Sequence, residues 1–136
     1  YIEADSMMMN LDDDTSTYRG NVRFRHDVTT LTGERLIVRR NNPRQTIIEV
    51  FGEPATFERD DTQRSTRARS GKMHYDERTR ILTLRGEAVL EHDDQVIRSQ
   101  FIRYDTASDT LLAGEQEPGT EGQRVNITIN PEGETR

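Results

Sequence analysis

The stretch Tyr18 to Val38 lies over Leu84 to Tyr104 without a gap, at an offset of 66 residues. The overlay pairs Arg19-Gly20 with Arg85-Gly86, Phe24 with Leu90, His26 with His92, Leu31 with Ile97, Leu36 with Ile102 and Val38 with Tyr104. It extends backwards to Met7 over Met73 and Met9 over Tyr75. A third copy runs from Gly52 to Arg59 and matches Gly86 to His92 once Pro54 is treated as an insertion. The repeating unit is therefore near 33 residues, about four short strands with a Gly turn. Such a unit cannot bury its apolar face alone, so successive units must stack, or roll two sheets together around a shared lining.

The strands are read from alternation. Val22 and Phe24 alternate with Arg23 and Arg25, Leu82 and Leu84 with Thr83 and Arg85, and Val125, Ile127 and Ile129 with Asn126, Thr128 and Asn130. No window of a dozen residues carries the 3.6-residue apolar period, so essentially no helix is expected. Turn signals recur at short intervals, among them Asp12-Asp13-Asp14, Arg19-Gly20-Asn21, Asn41-Asn42-Pro43, Asp60-Asp61, Asp93-Asp94, Ser108-Asp109 and Pro118-Gly119. The least regular stretch, Glu115 to Gln123, is read as a loop before the last strand, with no domain boundary. The expectation is one all-β domain over residues 1–136, an open antiparallel roll of about sixteen short strands.

Composition limits what this roll can do. Only 31% of residues are hydrophobic against 32% charged, and the mean hydropathy is −0.92, so strands with one apolar and one charged face are the economical solution. The longest apolar runs are three residues, Met7 to Met9 and Leu36 to Val38 among them, which reads as a soluble domain. Tyr1-Ile2-Glu3 shows no basic segment or apolar h-region, so localisation is not read from this end. A net charge of −6 opposes a nucleic-acid partner. The absence of cysteine removes disulfides, thiolate metal sites and cysteine nucleophiles.

Candidate chemistry is sparse. His26 and His92 hold equivalent repeat positions, each followed by Asp, yet no further ligand stands at a zinc-motif spacing. His74, between Met73 and Tyr75, points to the opposite face from them. A calcium loop starting at Asp12 would need Gly where Thr17 stands. There is no nucleophile elbow, phosphate loop or dinucleotide signature, and the carboxylates fall on outward positions, so no enzyme and no cofactor are expected. Asn126-Ile127-Thr128 fits a glycosylation sequon but lies inside the cleanest strand. Arg64, Arg67, Arg69 and Lys72 form a basic run suited to phosphate groups, or simply to a solvated strand face. The apolar alternation collects Met7, Met9, Val22, Phe24, Leu36, Val38 and Phe57, then Met73, Tyr75, Leu82, Leu84, Leu90, Ile102 and Tyr104. This set is a core, or a lining rich enough in methionine and aromatics to adapt to alkyl chains.

At these residues the chain resembles the periplasmic lipopolysaccharide-transport proteins of the LptA (OstA-like) family. The matching segments, in family order, are Ile2-Glu3-Ala4-Asp5, Tyr18-Arg19-Gly20-Asn21-Val22, Gly52-Glu53-Pro54-Ala55-Thr56-Phe57, Met73-His74-Tyr75-Asp76, Leu84 to Leu90, Ile102-Arg103-Tyr104-Asp105 and Arg124-Val125. The resemblance implies a β-jelly-roll open at both ends that carries lipopolysaccharide through the periplasm with its lipid A acyl chains inside. Ile2, Phe57 and Tyr75 match lipid-facing positions of the family. It also implies head-to-tail stacking through edge strands, with other copies and with homologous rolls of an inner-membrane LptC-like protein and an outer-membrane LptD-like protein. The edge candidates are Ile2 to Met9 and Arg124 to Asn130. The sugar and phosphate head would stay outside, near Arg64, Arg67, Arg69 and Lys72. The other reading is an adaptor roll of the same bridge that holds no lipid for long.

Overall fold

The computed structural model describes residues 1–42, 45–61, 65–114 and 126–129. These form ten strands and no helix: β1 (Ile2–Glu3), β2 (Ser6–Asn10), β3 (Thr15–His26), β4 (Thr29–Asn42), β5 (Gln45–Asp60), β6 (Ser65–Asp76), β7 (Ile81–His92), β8 (Gln95–Asp105), β9 (Thr110–Ala113) and β10 (Asn126–Ile129). They pair antiparallel in one open sheet of order β1-β3-β4-β5-β6-β7-β8-β10, with β2 also on β3 and β9 also on β8. The loop expected from Glu115 to Gln123 and the Pro118-Gly119 turn lie outside the described residues.

The strand count differs from sixteen for a definite reason. The ladder slips at one level across the whole sheet, between Arg19 and Val22, Thr32 and Arg35, Phe51 and Ala55, Arg69 and Lys72, and Arg85 and Ala88. Extra residues at these bulges bend each long strand and raise its twist. Six continuous strands, β3 to β8, therefore behave as twelve segments, which with the four short strands makes sixteen. At this belt the sheet folds back on itself, so that its two halves share one interior and one core cluster.

The repeat survives in the backbone. Gly20 and Gly86 both sit at φ 87°, and the next residues, Asn21 and Glu87, at 48° and 49°. Asp27 and Asp93 turn at 57° and 53°, Asp14 and Arg80 at 54° and 63°. All four pairs are 66 residues apart, and each marks a bend or turn that requires the left-handed region. One 33-residue unit is thus a hairpin of two bent strands: β3 with β4, β5 with β6, β7 with β8.

Partners across the ladder share a face, so the interior can be read in rows. One side of the belt carries Met7, Tyr18, Leu36, Val50, Met73, Leu84, Ile102 and Ala113, and beyond it Met9, Ser16, Val38, Ile48, Tyr75, Leu82, Tyr104 and Leu111. The other side carries Ile2, Phe24, Leu31, Phe57, Ala68, Leu90 and Ile97. The central members of these rows are buried and form the core. Outside, Arg35 and Lys72 lie 4.3 and 5.4 Å from the Phe51 ring centre, and Arg85 and Arg103 lie 5.5 and 5.6 Å from that of Phe101. Arginine and lysine side chains thereby cover the large outer aromatics.

Candidate functional site

Along each strand that opens a unit, the inward positions follow one sequence from belt to free end. They read Val22, Phe24, His26 in β3; Ala55, Phe57, Arg59 in β5; and Ala88, Leu90, His92 in β7. The returning strands read Gly33, Leu31, Thr29, then Ser70, Ala68, Thr66, then Ser99, Ile97, Gln95. In this half of the sheet the inward residues are small at the bend, bulky and apolar at mid-height, and polar at the lip. Period-two alternation explains why these residues share a face, and the belt explains why the faces meet.

Where the lips of the two half-sheets approach, a cavity of about 410 Å³ opens from the interior. Its wall holds Phe24, Leu31, Phe57 and Tyr75, and its rim holds His26, Asp27, Thr29, Arg59, Glu77, Arg80 and Thr106. Next to it, sharing Arg59 and Thr106, lies a space of about 230 Å³ lined by Thr66, His92, Tyr104 and Asp109. Here the lips are tied. Tyr104 donates its hydroxyl to Asp109 Oδ1 at 2.6 Å, and His92 Nε2 lies 3.4 Å from Asp109 Oδ2. Thr66 Oγ1 lies 2.8 Å from His92 Nδ1, and Arg59 Nη1 donates to the Thr106 carbonyl at 3.2 Å. Burial, then the hydrogen bond to Asp109, pushes the Tyr104 phenol up to about 12.

Most of the expected lining is where alternation placed it. Val22, Leu36, Phe57, Met73, Leu82, Leu84, Leu90, Ile102 and Tyr104 are buried in the core, with Ile2, Phe24, Val38 and Tyr75 packed against it. Met7 and Met9 are not enclosed. They stand on the inward face, but β2 is an edge strand and leaves them 53% and 49% exposed. Met73, the repeat mate of Met7, is buried because β6 has neighbours on both sides. Alternation also misses Leu31 and Ile97, which the repeat pairs, and Ile48 and Val50.

The described members of the basic run, Arg67, Arg69 and Lys72, do not line the cavity. Arg67 and Arg69 alternate with the buried Thr66, Ala68 and Ser70, so they face outward, 3.2 Å from Glu58 and 3.7 Å from Glu91. Lys72, beyond the bulge, is also outward, 3.7 Å from Glu49 and over Phe51, while Arg64 lies outside the described residues. The rim cations are instead Arg59 and Arg80, which no motif singles out. His74 lies on the outer face beside Glu49 and Thr83, as its neighbours dictate. Among the described residues no three His, Asp or Glu side chains converge as metal ligands.

Comparison with known proteins places this architecture. The chain is 25% identical over 134 residues to the lipopolysaccharide export system protein LptA of Escherichia coli K12, spanning 96% of this chain and 70% of that protein. It is likewise 25% identical over 134 residues to LptA of Haemophilus influenzae Rd, spanning 96% and 76%. The crystal structure of LptH, the LptA-homologous periplasmic component of the lipopolysaccharide transport device of Pseudomonas aeruginosa, superposes with a TM-score of 0.89 at 21% identity. That superposition covers 96% of this chain and 94% of LptH and shows that the two share the jelly-roll fold. Residues 1–110 match the family model of the LptA/(LptD N-terminal domain) lipopolysaccharide-transport proteins, and it is to this family that the chain belongs.

Proposed function

We propose that this roll is a non-enzymatic periplasmic carrier that shelters the acyl chains of lipopolysaccharide between its half-sheets as one link of a bridge between the two membranes. The observation that carries this reading is the continuity of the apolar interior with the mouth cavity, whose wall is Phe24, Leu31, Phe57 and Tyr75. At about 410 Å³ the cavity sits at the small end of ligand pockets, so a lipid with several chains enters only as the half-sheets part and the core side chains give way. Each acyl methylene moved from water to such a lining contributes up to about 0.8 kcal/mol, which offsets the core packing given up as the roll opens. Family membership and the likeness to LptA and LptH support the cargo.

The bridge itself rests on the sheet edges. Among the described residues β1 and β2 at one side and β9 and β10 at the other have no further strand beyond them, and Met7, Met8 and Met9 are 53%, 65% and 49% exposed on β2. Strand addition there would join copies head to tail, or join the roll to LptC-like and LptD-like domains of the same fold. The packed core favours a second reading, an adaptor roll that holds no lipid for long.

Binding of purified lipopolysaccharide to the wild type, Phe57→Asp and Tyr75→Asp separates the two. Circular dichroism first establishes that each chain is β-folded. The carrier reading expects strong retention by the wild type and loss in folded variants, Tyr75 being only half-buried and thus able to accept the change. A folded wild type that retains no lipopolysaccharide refutes the carrier and leaves the adaptor.

A further inference from the structure

We infer that the mouth of the roll is a phosphate-binding site, with Arg59 on one lip and Arg80 on the other holding the anionic head group of the lipid whose chains lie inside. The inference rests on the carrier reading above and names what that reading leaves open, the group that the rim recognises.

Three independent observations converge. The first is the repeat: the last inward position of each opening strand is basic, His26, Arg59 and His92, although this face is otherwise apolar or small. Packing does not require a basic side chain there. His92 is already engaged by Asp109 and Thr66, which leaves the stretch around Arg59 and His26 as the open part of the lip.

The second is backbone conformation. Arg80 stands at φ 63°, where its repeat mate is Asp14, a residue that tolerates the left-handed region far better than arginine does. The turn holds it there firmly: its amide donates to the Asp76 carbonyl at 2.7 Å, and its carbonyl accepts from the Thr106 amide and hydroxyl at 2.9 and 2.8 Å. A disfavoured residue at an over-determined position argues for a use of its side chain. Among the described residues that side chain makes no ion pair.

The third is connectivity across the mouth. The Thr106 that holds the Arg80 main chain also accepts from the Arg59 guanidinium at 3.2 Å, so one residue ties the Arg80 turn and the Arg59 side chain to the same rim. A guanidinium using one of its five donors keeps the others for a phosphate. Two carboxylates, Asp27 and Glu77, share the rim and give the proposal a test of opposite sign.

The probes are lipid A carrying its phosphates, the same lipid dephosphorylated, and inorganic phosphate alone. Retention is measured for the wild type, Arg80→Gln, Glu77→Gln and, as a charge control on the same turn but outside the cavity, Arg78→Gln. The wild type is expected to favour the phosphorylated lipid by about tenfold, the scale of a charge-assisted contact at a partly exposed site. Arg80→Gln removes most of that preference, Glu77→Gln increases it by about twofold, and Arg78→Gln leaves it unchanged. Equal retention of both lipids by the wild type, or a preference that Arg80→Gln leaves intact, overturns the phosphate site while the carrier stands. Inorganic phosphate binding as tightly as the lipid overturns the head-group assignment. Failure to retain either lipid removes the carrier reading and this inference together.

Discussion

If the bulge belt is what lets one sheet enclose an interior, identical substitutions along it must have different and calculable effects. Consider alanine at Gly71, Gly86 and Gly52. A Cβ on Gly71 would meet only the Arg85 and Gly86 carbonyls at 3.8 and 3.9 Å, ordinary contact at a φ any residue adopts. Replacement there reduces the freedom of the unfolded chain, so it is neutral or stabilising by up to about 0.5 kcal/mol. A Cβ on Gly86 would be equally uncrowded, at 3.7 Å from Gly71, but φ is 87° and the strain costs about 1–2 kcal/mol. On Gly52 the Cβ would lie 2.9 Å from the Ala55 amide nitrogen and 3.0 Å from the Pro54 carbonyl oxygen. Those are backbone atoms of its own bulge, which cannot swing aside, so the cost is about 2–3 kcal/mol. For a domain this size each kcal/mol moves the melting temperature by about 3–5 °C. Urea and thermal unfolding followed by circular dichroism should therefore rank Gly71→Ala at or above wild type, then Gly86→Ala, then Gly52→Ala. Equal losses at all three would refute the argument, since the belt would then need glycine for flexibility and not for clearance or handedness.

Three other outcomes follow from single residues. Glu87 occupies the left-handed position where its repeat mate is Asn21, so Glu87→Asn should stabilise by about 0.5 kcal/mol in the same unfolding assay. The Tyr104 phenol, raised to about 12 by burial and by Asp109, favours the folded state fully below pH 10, and that contribution disappears as pH rises from 10 to about 12. Alkaline unfolding of Tyr104→Phe should lack this segment of the pH profile. Burial works against ionisation of Glu49, but Arg39, Lys72 and His74 more than compensate and hold its carboxyl below the usual range. Its contribution is present above the unfolded carboxylate range and is lost as pH falls through the lower folded value, so Arg39→Gln should flatten acid unfolding.

Much of the fold is legible in the sequence because side-chain parity and turn chemistry are local. The offset of 66 residues picks out both Gly20 and Gly86, and alternation picks out Phe57, Met73 and Leu84. What escapes depends on position in the sheet. Met7 and Met73 read alike, and only the presence of a second neighbouring strand distinguishes an exposed methionine from a buried one. The run from Arg64 to Lys72 looks like a cluster along the chain, whereas parity turns Arg67 and Arg69 away from the interior. Arg59 and Arg80 do not look like a cluster, because the pair exists only where the folded sheet brings two lips together. Strand number is hard to read for a related reason: a bulge bends a strand as sharply as a turn does, and a sequence shows the same Gly signal for both.

The low hydropathy and the lipid-like interior are consequences of one design. A one-sided strand needs apolar residues only at alternate positions, and next to the belt these are small in one half-sheet, Ala55, Ala88, Ser70 and Ser99, and large in the other, Leu36, Met73, Leu84 and Ile102. In the first of these half-sheets large side chains stand at mid-height, Phe57 and Leu90, and polar ones where the interior meets water, Arg59 and His92. On that side of the belt each 33-residue hairpin presents, from bend to lip, the order small, bulky, basic, the order in which the proposed carrier would lay an amphiphile with its head at the mouth. Repeating the hairpin three times extends that layered trough across the sheet without adding a second core. A chain with 31% hydrophobic residues can in this way line a continuous apolar path while keeping its outer face covered in arginine.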